Sequence, residues 1–317
     1  MALVGIARLA AQSPLLEAKR SVEYFEIPAR SILNRTKPNM PFQRTINPYR
    51  GCEIGCKYCY ARYAHEFMEL DPQSFEEKIY AKPAPAFLLR QELAKIDKRE
   101  HIAIGTATDP YQPAERRFAR TRAILEVFAR ESGWHLGITT KSDVITRDID
   151  LLKQIARRNV LGIHITITTT DEKLARLIEP RAPRVELRLD TVRRLRAAGI
   201  CVAVFPNPVM PGINDSEESL DAVARAAKEA GAMSFGGGAL YLPGASQQVF
   251  LPFVDREFPH LAQRYRETFE KGIHLSRRYK EALSEKVHRI RLRHSLTSGS
   301  MDYRPELWAE DEQLSLW

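Results

Sequence analysis

The chain has 317 residues, of which 44% are hydrophobic and 28% are charged, and its formal net charge is +8. This composition is typical of an ordinary globular protein and excludes a disordered chain. No apolar run reaches the roughly eighteen residues of a transmembrane helix, so we expect no membrane span.

The N-terminal residues lack a basic segment followed by a cleavage site, so we expect no signal peptide and a cytoplasmic location. Beyond them, strand-like and helix-like segments alternate, which predicts βα units and a parallel sheet. Strands are predicted at Arg44–Tyr49, His101–Asp109, His135–Ser142, Leu161–Thr170, Ile200–Pro208 and Met233–Pro243. Helices are predicted at Pro85–Asp97, Arg117–Glu131, Asp148–Arg158, Asp171–Ile178, Val185–Ala198 and Ser216–Ala230.

Six such units favour an α/β fold that forms a partial (β/α)6 barrel of the TIM-like kind. We expect residues 1–40 to form an N-terminal extension and residues 41–245 to form the barrel. Residues 246–317 are expected to form a helical, basic C-terminal extension.

Three of the four cysteines, Cys52, Cys56 and Cys59, lie within eight residues of each other. In a reducing compartment such thiols are more typical of ligands than of disulfides. A zinc site normally uses two C-x2-C pairs, and no second pair is present. A 4Fe–4S cluster normally takes four cysteines, so three leave one iron open to a substrate or cofactor. Two alternatives stay open here: a zinc loop completed by a histidine such as His65, and reduced structural thiols.

The C-x3-C-x2-C spacing, with an aromatic residue before the third cysteine, resembles the signature of radical S-adenosylmethionine (SAM) enzymes. The strings TATDPYQPAE, TTKSD and EPRAPRVELRLD are similar to the group around spore photoproduct lyase, also called DNA-repair-photolyase-like. The resemblance extends from about residue 41 to about residue 244. It implies a 4Fe–4S cluster on the three cysteines and SAM chelated to the open iron. It also implies lyase-like or modifying chemistry, driven by a low-potential electron donor of the flavodoxin or ferredoxin type.

The resemblance implies roles for individual residues as well. Tyr58 corresponds to an aromatic residue beside the adenine of SAM, and Tyr58 and Tyr60 correspond to tyrosines implicated in returning hydrogen. Lys141 matches a lysine that pairs with the SAM carboxylate, and Thr166 matches a serine that touches SAM. In such reactions one electron cleaves SAM to methionine and a 5′-deoxyadenosyl radical, which abstracts a hydrogen atom from the substrate.

Functional side chains of barrels collect at the carboxyl ends of the strands. This rule favours Thr108, Ser142 and Arg181 as further SAM contacts. Each has a structural alternative: packing for Thr108, a helix cap for Ser142 and a loop salt bridge for Arg181.

The chain departs from the family at Thr106, where spore photoproduct lyase carries a hydrogen-donor cysteine three residues before the residue matching Asp109. The O–H bond of threonine is too strong to donate a hydrogen atom readily to a carbon radical. This departure argues against spore photoproduct repair itself.

Two C-terminal features bear on partners. Residues 277–293 contain seven Lys and Arg against two Glu, which indicates either a face that binds DNA or RNA or a solvated amphipathic helix. The segment Gln313–Trp317 resembles the short peptide with which bacterial DNA-processing proteins dock on the replication sliding clamp.

Three functions remain open from the sequence. The first is a radical SAM enzyme acting on nucleic acid, and the second is one acting on a small molecule or peptide. The third is a metal-stabilised nucleic-acid-binding protein without catalysis.

Overall fold

The computed structural model describes residues 3–38 and 40–298, which form two β-sheets surrounded by helices. The strands are β1 (Leu15–Lys19), β2 (Val22–Glu26), β3 (Leu33–Arg35), β4 (Arg44–Ile46), β5 (Tyr49–Arg50), β6 (Lys78–Ala81), β7 (His101–Ile104), β8 (His135–Thr140), β9 (Val160–Thr166), β10 (Cys201–Phe205) and β11 (Ser234–Phe235). The helices are α1 (Gly5–Ala11), α2 (Tyr63–Glu66), α3 (Pro85–Leu93), α4 (Glu115–Phe118), α5 (Arg120–Phe128), α6 (Ile149–Arg158), α7 (Glu172–Ile178), α8 (Val185–Ala197), α9 (Glu217–Glu229), α10 (Gly244–Glu257), α11 (Ala262–Glu270) and α12 (Arg277–Arg293).

The larger sheet forms the centre of the molecule and has the strand order β3-β4-β7-β8-β9-β10-β11. Neighbouring strands from β4 to β11 are parallel, whereas β3 joins β4 in the antiparallel direction. Helices connect most of the successive parallel strands and pack against the sheet. The predicted α/β fold with six parallel strands is therefore confirmed. Because β4 and β11 lie far apart in this order, the barrel is open.

Alternation along the parallel strands separates a core face from a lumen face. In β9, Ile163 and Ile165 are fully buried in the main apolar core. His164, between them, packs its ring against Phe205 of the neighbouring strand, with centroids 4.8 Å apart. The Nδ1 of His164 lies 3.4 Å from the hydroxyl of Thr139. Polar side chains therefore line the lumen, as the sequence pattern predicts.

The predicted strands are too long at their carboxyl ends. The strand predicted to reach Asp109 ends at Ile104, because Gly105 turns the chain with a φ of +90°. The strand predicted over Met233–Pro243 is reduced to β11, because glycines 236–238 follow it and the chain turns away. The strand predicted over Arg44–Tyr49 is also divided, since its last residue belongs to β5 in the other sheet. The lost residues form the loops at one edge of the sheet.

The smaller sheet has the order β1-β2-β6-β5 and determines where the cysteine loop begins. Strand β2 pairs with β6 in parallel, and β6 pairs with β5 in the antiparallel direction. Residues 1–40, predicted as an extension, thus supply β1 and β2 to this sheet and β3 to the larger one. Since β5 ends directly before Gly51, the smaller sheet anchors the start of the cysteine loop.

The C-terminal helices pack on two parts of the molecule. Near the cysteine loop, the Ser246 hydroxyl of α10 donates to the carbonyl of Cys59 at 2.8 Å. Helix α12 adds buried Val287 and Ile290 to the main core. Among the helices that the structure describes, none combines the length and apolar character that a bilayer span requires.

Candidate active site

The cysteine loop follows β5 and is held by close backbone contacts with residues 75–78. The N–H of Cys52 donates to the carbonyl of Phe75 at 3.0 Å. Gly51 has a φ of +81°, and a Cβ at this position would lie 2.5 Å from the carbonyl oxygen of Lys78. Only glycine fits here without displacing the backbone. The shape of the loop is therefore set by the protein around it.

The pKa values of the thiols in the loop depend on burial and on neighbouring charges. Cys52 and Cys56 are each 8% exposed, and burial raises the pKa of both, that of Cys56 to about 12. The negative charges of Asp109, Cys56 and Cys59 raise the pKa of Cys52 further. Metal binding replaces protons on such thiols. Three neighbouring thiols in a buried loop are a donor set that fits a 4Fe–4S cluster.

His65, the fourth ligand of the zinc alternative, has a different role. Its Nε2 lies 3.0 Å from the carbonyl oxygen of Lys78, and its ring packs edge-on against Phe75. Burial lowers its pKa to about 4, so the imidazole is neutral and supports the cysteine loop. In residues 3–38 and 40–298, no three His, Cys, Asp or Glu side chains are grouped as ligands of a single ion. Cys201 is buried at the start of β10, as predicted.

A buried carboxylate lies beside the loop and is surrounded by donors. Glu179 accepts hydrogen bonds from the hydroxyls of Tyr58 and Thr168, and its Oε2 lies 2.6 Å from Nη1 of Arg188. The Nζ of Lys141 lies 4.0 Å from Oε1. Burial alone would raise the pKa of Glu179, but the charges of Arg188 and Lys141 and the two hydroxyl donors hold it below its ordinary value. The carboxylate is therefore ionised at neutral pH.

Lys141 lies beside this carboxylate and beside Tyr58 of the cysteine loop. Its side chain is 16% exposed, and its Nζ lies 5.7 Å from the ring centroid of Tyr58. Burial lowers the pKa of Lys141, but negative charge at Cys56 and Glu179 raises it more, so the amine stays charged. Because Glu179 is paired more closely with Arg188, Lys141 retains positive charge for a ligand. An incoming carboxylate would find a charged donor here.

A family model for the radical SAM superfamily matches residues 46–231, more than half of the chain. This protein belongs to the radical SAM superfamily. It is 35% identical over 256 residues to an uncharacterized protein of Mycobacterium tuberculosis, covering 79% of this chain and 75% of that protein. It is 25% identical over 186 residues to a radical SAM Nalpha-GlyT isomerase of Pseudomonas phage M6, covering 57% of this chain and 36% of that enzyme.

The fold is similar to that of spore photoproduct lyase, as solved in complex with a dinucleoside spore photoproduct. The TM-score is 0.65 at 14% identity, and the match covers 86% of this chain and 79% of the lyase chain. At this identity the similarity concerns the fold alone. It agrees with the radical SAM family and with the open barrel described above.

Two threonines predicted to contact SAM occupy different positions in the radical SAM site. The hydroxyl of Thr108 donates to the carbonyl of Gly51 at 2.7 Å and accepts from Nε2 of Gln112 at 2.8 Å. Thr108 therefore supports the cysteine loop. Thr166 ends β9, and its carbonyl accepts from Arg188 at 3.2 Å. Its hydroxyl makes no hydrogen bond within the described residues, so it is available to a ligand.

Two other predicted SAM contacts lie outside the group of charges around Glu179. The Ser142 hydroxyl oxygen accepts from the N–H of Val144 at 3.2 Å, so Ser142 is a cap, which was its structural alternative. Arg181 is exposed, and its Nη1 donates to the carbonyl of Glu76 at 3.1 Å. Both residues fix the backbone next to the site.

The two tyrosines that flank Cys59 have different environments. Tyr58 is buried, and its hydroxyl donates to the buried carboxylate described above. Tyr60 is 38% exposed, its hydroxyl donates to the carbonyl of Thr106, and its ring centroid lies 5.9 Å from that of Tyr241. Tyr60 therefore lies at the rim of the site, next to Thr106.

The pair that organises the site, Glu179 and Arg188, was not predicted from the sequence. Arg188 lies on the apolar face of α8, between the buried residues Val185 and Leu189. A charged residue at this helical spacing is a signal of a buried ion pair. Its partner has no such signal, because Glu179 lies in the loop before the helix.

We expect Arg188→Met to lower the free energy of unfolding by about 3–5 kcal/mol, because the buried Glu179 would keep only Lys141 as counter-charge. Arg193→Met, on the exposed side of α8, should cost less than about 1 kcal/mol, because exposed ion pairs contribute little. Urea denaturation of both variants measures the difference. Equal losses would contradict the importance of the buried pair.

Proposed function

We propose that this protein is a radical SAM enzyme that cleaves SAM reductively and abstracts a hydrogen atom from a nucleic-acid substrate, in a repair or modification reaction. The observation that supports this proposal most directly is the charged Lys141 beside the cysteine loop, in which Cys52 and Cys56 are buried and Cys59 is partly buried. Lys141 follows β8, so the group lies at the carboxyl edge of the sheet, where barrel enzymes carry their active sites.

When bound, a 4Fe–4S cluster supplies the electron that cleaves SAM to methionine and a 5′-deoxyadenosyl radical. Cys52, Cys56 and Cys59 would hold this cluster and leave one iron for the amino and carboxylate groups of SAM. Lys141 binds the SAM carboxylate, and the unpaired hydroxyl of Thr166 offers a polar contact to SAM. The electron comes, in this proposal, from a low-potential carrier of the flavodoxin or ferredoxin type.

Tyr60 is the residue that we propose to return hydrogen to the substrate radical: its O–H bond breaks as a substrate C–H bond forms, and the unpaired electron remains on the Tyr60 phenoxyl group. A phenol O–H bond is weaker than an alcohol O–H bond, so Tyr60 is a better donor than the neighbouring Thr106. The Tyr58 hydroxyl is less suited to this step, because it is buried and donates to Glu179. Tyr58 instead supports the site from within.

A nucleic-acid substrate is supported by the net charge and by the solved lyase, which has a similar fold and holds a dinucleoside photoproduct. Helix α12 is a weaker candidate surface than its composition indicates. Arg289 and Arg293 contact Glu217, and Arg293 also contacts Asp221 at 2.6 Å. Part of its charge is thus neutralised within the protein. We place the nucleic-acid contact at the rim, where exposed aromatic rings can stack on bases.

Reconstituted protein should form 5′-deoxyadenosine from SAM after reduction with dithionite. Cys56→Ala should abolish this product because a cluster ligand is lost, whereas Cys201→Ala should retain it. Product formation that survives in Cys56→Ala would exclude the proposed chemistry. Deuterium transfer from a deuterated DNA or RNA oligonucleotide into 5′-deoxyadenosine tests the substrate class. Transfer only from a small molecule or peptide would favour the second function.

Lys141→Met should weaken SAM binding to the reconstituted protein about tenfold to a hundredfold, because a charge-assisted hydrogen bond to the carboxylate is lost. Lys280→Met, an exposed change on α12, should leave the affinity unchanged. Isothermal titration calorimetry measures both. An unaltered Kd in Lys141→Met would show that another group binds the carboxylate.

The segment Gln313–Trp317 lies outside the described residues. We propose that its two leucines and its tryptophan dock in an apolar pocket of the bacterial sliding clamp, which would bring the enzyme to DNA. A pull-down with the clamp should lose this protein when the last five residues are deleted. If the clamp still retains the truncated chain, the proposed docking of this segment is wrong.

A further inference from the structure

Two cations of the smaller sheet share one of its faces. Arg50 lies in β5 and pairs with Tyr80 of β6, while the N–H of Lys82, just past β6, donates to the carbonyl of Pro48 at 3.1 Å. Residues directly opposite each other in an antiparallel pair share a face of the sheet, and so do residues two apart in one strand. Arg50 and Lys82 are therefore diagonal neighbours on the same face.

No carboxylate forms an ion pair with either cation in the part of the chain that the structure describes. Lys82 is only 5% exposed and Arg50 is partly buried, and neither side chain makes a hydrogen bond to the described residues. Burial and the charge of Arg50 lower the pKa of Lys82 to about 8, while Glu92 raises it. Glu92 is too far away for an ion pair and accepts instead from the N–H groups of Ile32, at 3.0 Å, and Leu33, at 2.9 Å.

Helix α2 packs on the same face of the smaller sheet. The ring centroid of its His65 lies 6.2 Å from that of Tyr80, the residue that pairs with Arg50. Tyr63 begins this helix, and burial raises the pKa of Tyr63 while positive charge at Arg50 lowers it. Arg50 therefore lies beside the start of α2.

A row of aromatic rings leads from Tyr63 across the rim of the site. The ring centroid of Tyr63 lies 6.4 Å from that of Tyr60, which lies 5.9 Å from that of Tyr241. The rings of Tyr241 and His274 are 4.9 Å apart. Tyr60 and Tyr241 are 38% and 37% exposed, so their rings are accessible from outside. Because the Tyr60 hydroxyl donates to the carbonyl of Thr106, just past β7, the row reaches the carboxyl edge of the larger sheet.

The two cations are separate from the amine that we assign to the SAM carboxylate. Lys141 follows β8, whereas the chain reaches Arg50 from the end of β4, and β7 lies between these two strands in the sheet. A second anionic group can therefore bind at Arg50 and Lys82 while SAM occupies Lys141.

We propose that Arg50 and Lys82 bind a phosphate group of the nucleic-acid substrate, beside a nucleotide whose base stacks on the exposed tyrosine rings. The proposal rests on the proposed function and adds to it the part of the site that holds the substrate backbone. A guanidinium and an ammonium are the donors that phosphate oxygens accept from most strongly, and a bound phosphate offsets the repulsion between two neighbouring cations. Aromatic rings beside a basic site are typical of proteins that bind single strands.

A carboxylate of an acidic peptide is the other anion that two such cations attract. The observations favour phosphate, because the neighbouring row of rings offers stacking surfaces for bases, which a chain of acidic residues does not use. The two ligands give different results when the same variants are compared.

The test uses the reconstituted protein and a fluorescent hexathymidylate, together with its methylphosphonate analogue, which keeps the bases and removes the backbone charge. Arg50→Gln with Lys82→Gln removes both cations. Lys153→Gln with Arg157→Gln removes two exposed cations of α6 and is the matched control. Fluorescence anisotropy at several salt concentrations gives the Kd for each protein, and a hexauridylate probe repeats the measurement with RNA.

We expect the Arg50/Lys82 variant to bind hexathymidylate about tenfold more weakly, because charge-assisted hydrogen bonds to a phosphate are lost. The slope of log Kd against log salt concentration should fall by about 0.7 for the one phosphate contact removed. The α6 variant should bind as the unmodified protein does. With the methylphosphonate analogue, all three proteins should bind alike. Arg50→Gln alone changes only a partly exposed residue and should show part of the same loss, so the test does not depend on replacing the buried Lys82.

Equal affinities of the unmodified protein and the Arg50/Lys82 variant for both oligonucleotides would overturn the proposal, and so would no binding of either oligonucleotide. A loss that persists with the methylphosphonate analogue, or that accompanies a loss of iron, would assign the cations to support of the cysteine loop. A loss of affinity for a hexaglutamate peptide alone would assign them to carboxylates. A failure of the proposed function is separate, because it appears as no SAM cleavage with dithionite in the unmodified protein, and the oligonucleotide affinities can be measured in either case.

Discussion

The charge balance around Glu179 connects the distant parts of the chain that build this site. One buried carboxylate faces two cations, Arg188 and Lys141, and accepts hydrogen bonds from Tyr58 and Thr168. These groups come from the cysteine loop, the end of β8, the loop after β9 and helix α8. Burying a charge without a partner lowers the free energy of unfolding. The pairing of these charges therefore fixes the positions of the segments that carry them. Because two cations face one carboxylate, an excess positive charge remains at Lys141.

The charges of the protein are divided between two sides of the cysteine loop. On the inner side, two cations, Arg188 and Lys141, are buried with one carboxylate, Glu179. One positive charge is therefore in excess, and it lies on the amine of Lys141. On the outer side, the exposed Arg176 and Arg181 donate to the backbone carbonyls of Pro180 and Glu76. The same short segment, residues 179–184, supplies the carboxylate to one side and arginines to the other. A change in this segment would therefore affect both the buried charge balance around Glu179 and the charge of the exposed surface beside the loop.

The features that the sequence predicts well are those carried by local patterns. The spacing of Cys52, Cys56 and Cys59 indicates a cluster loop, and alternation along segments such as β9 indicates buried parallel strands. The carboxyl ends of the strands were predicted several residues too far along the chain. The Thr, Gly and Pro residues that follow them look like extended strand in the sequence, but in the structure the chain has already turned. Arg181 and Arg188 illustrate the remaining difficulty. Both are near Glu179 in the chain, and only the three-dimensional path of α8 decides which arginine is turned inward.

The cysteine loop is held by bonds that involve no metal. The backbone of Cys52 is bonded to Phe75, the carbonyl of Gly51 accepts from Thr108 and Gln112, and the loop backbone is bonded to residues 178 and 181. Small zinc domains behave differently, since they fold only when their metal binds. Here Gln112 bonds the backbone on both sides of Cys52, through the carbonyl of Gly51 and the N–H of Glu53. Replacing Gln112 would therefore disturb the position of a thiol without altering any cysteine.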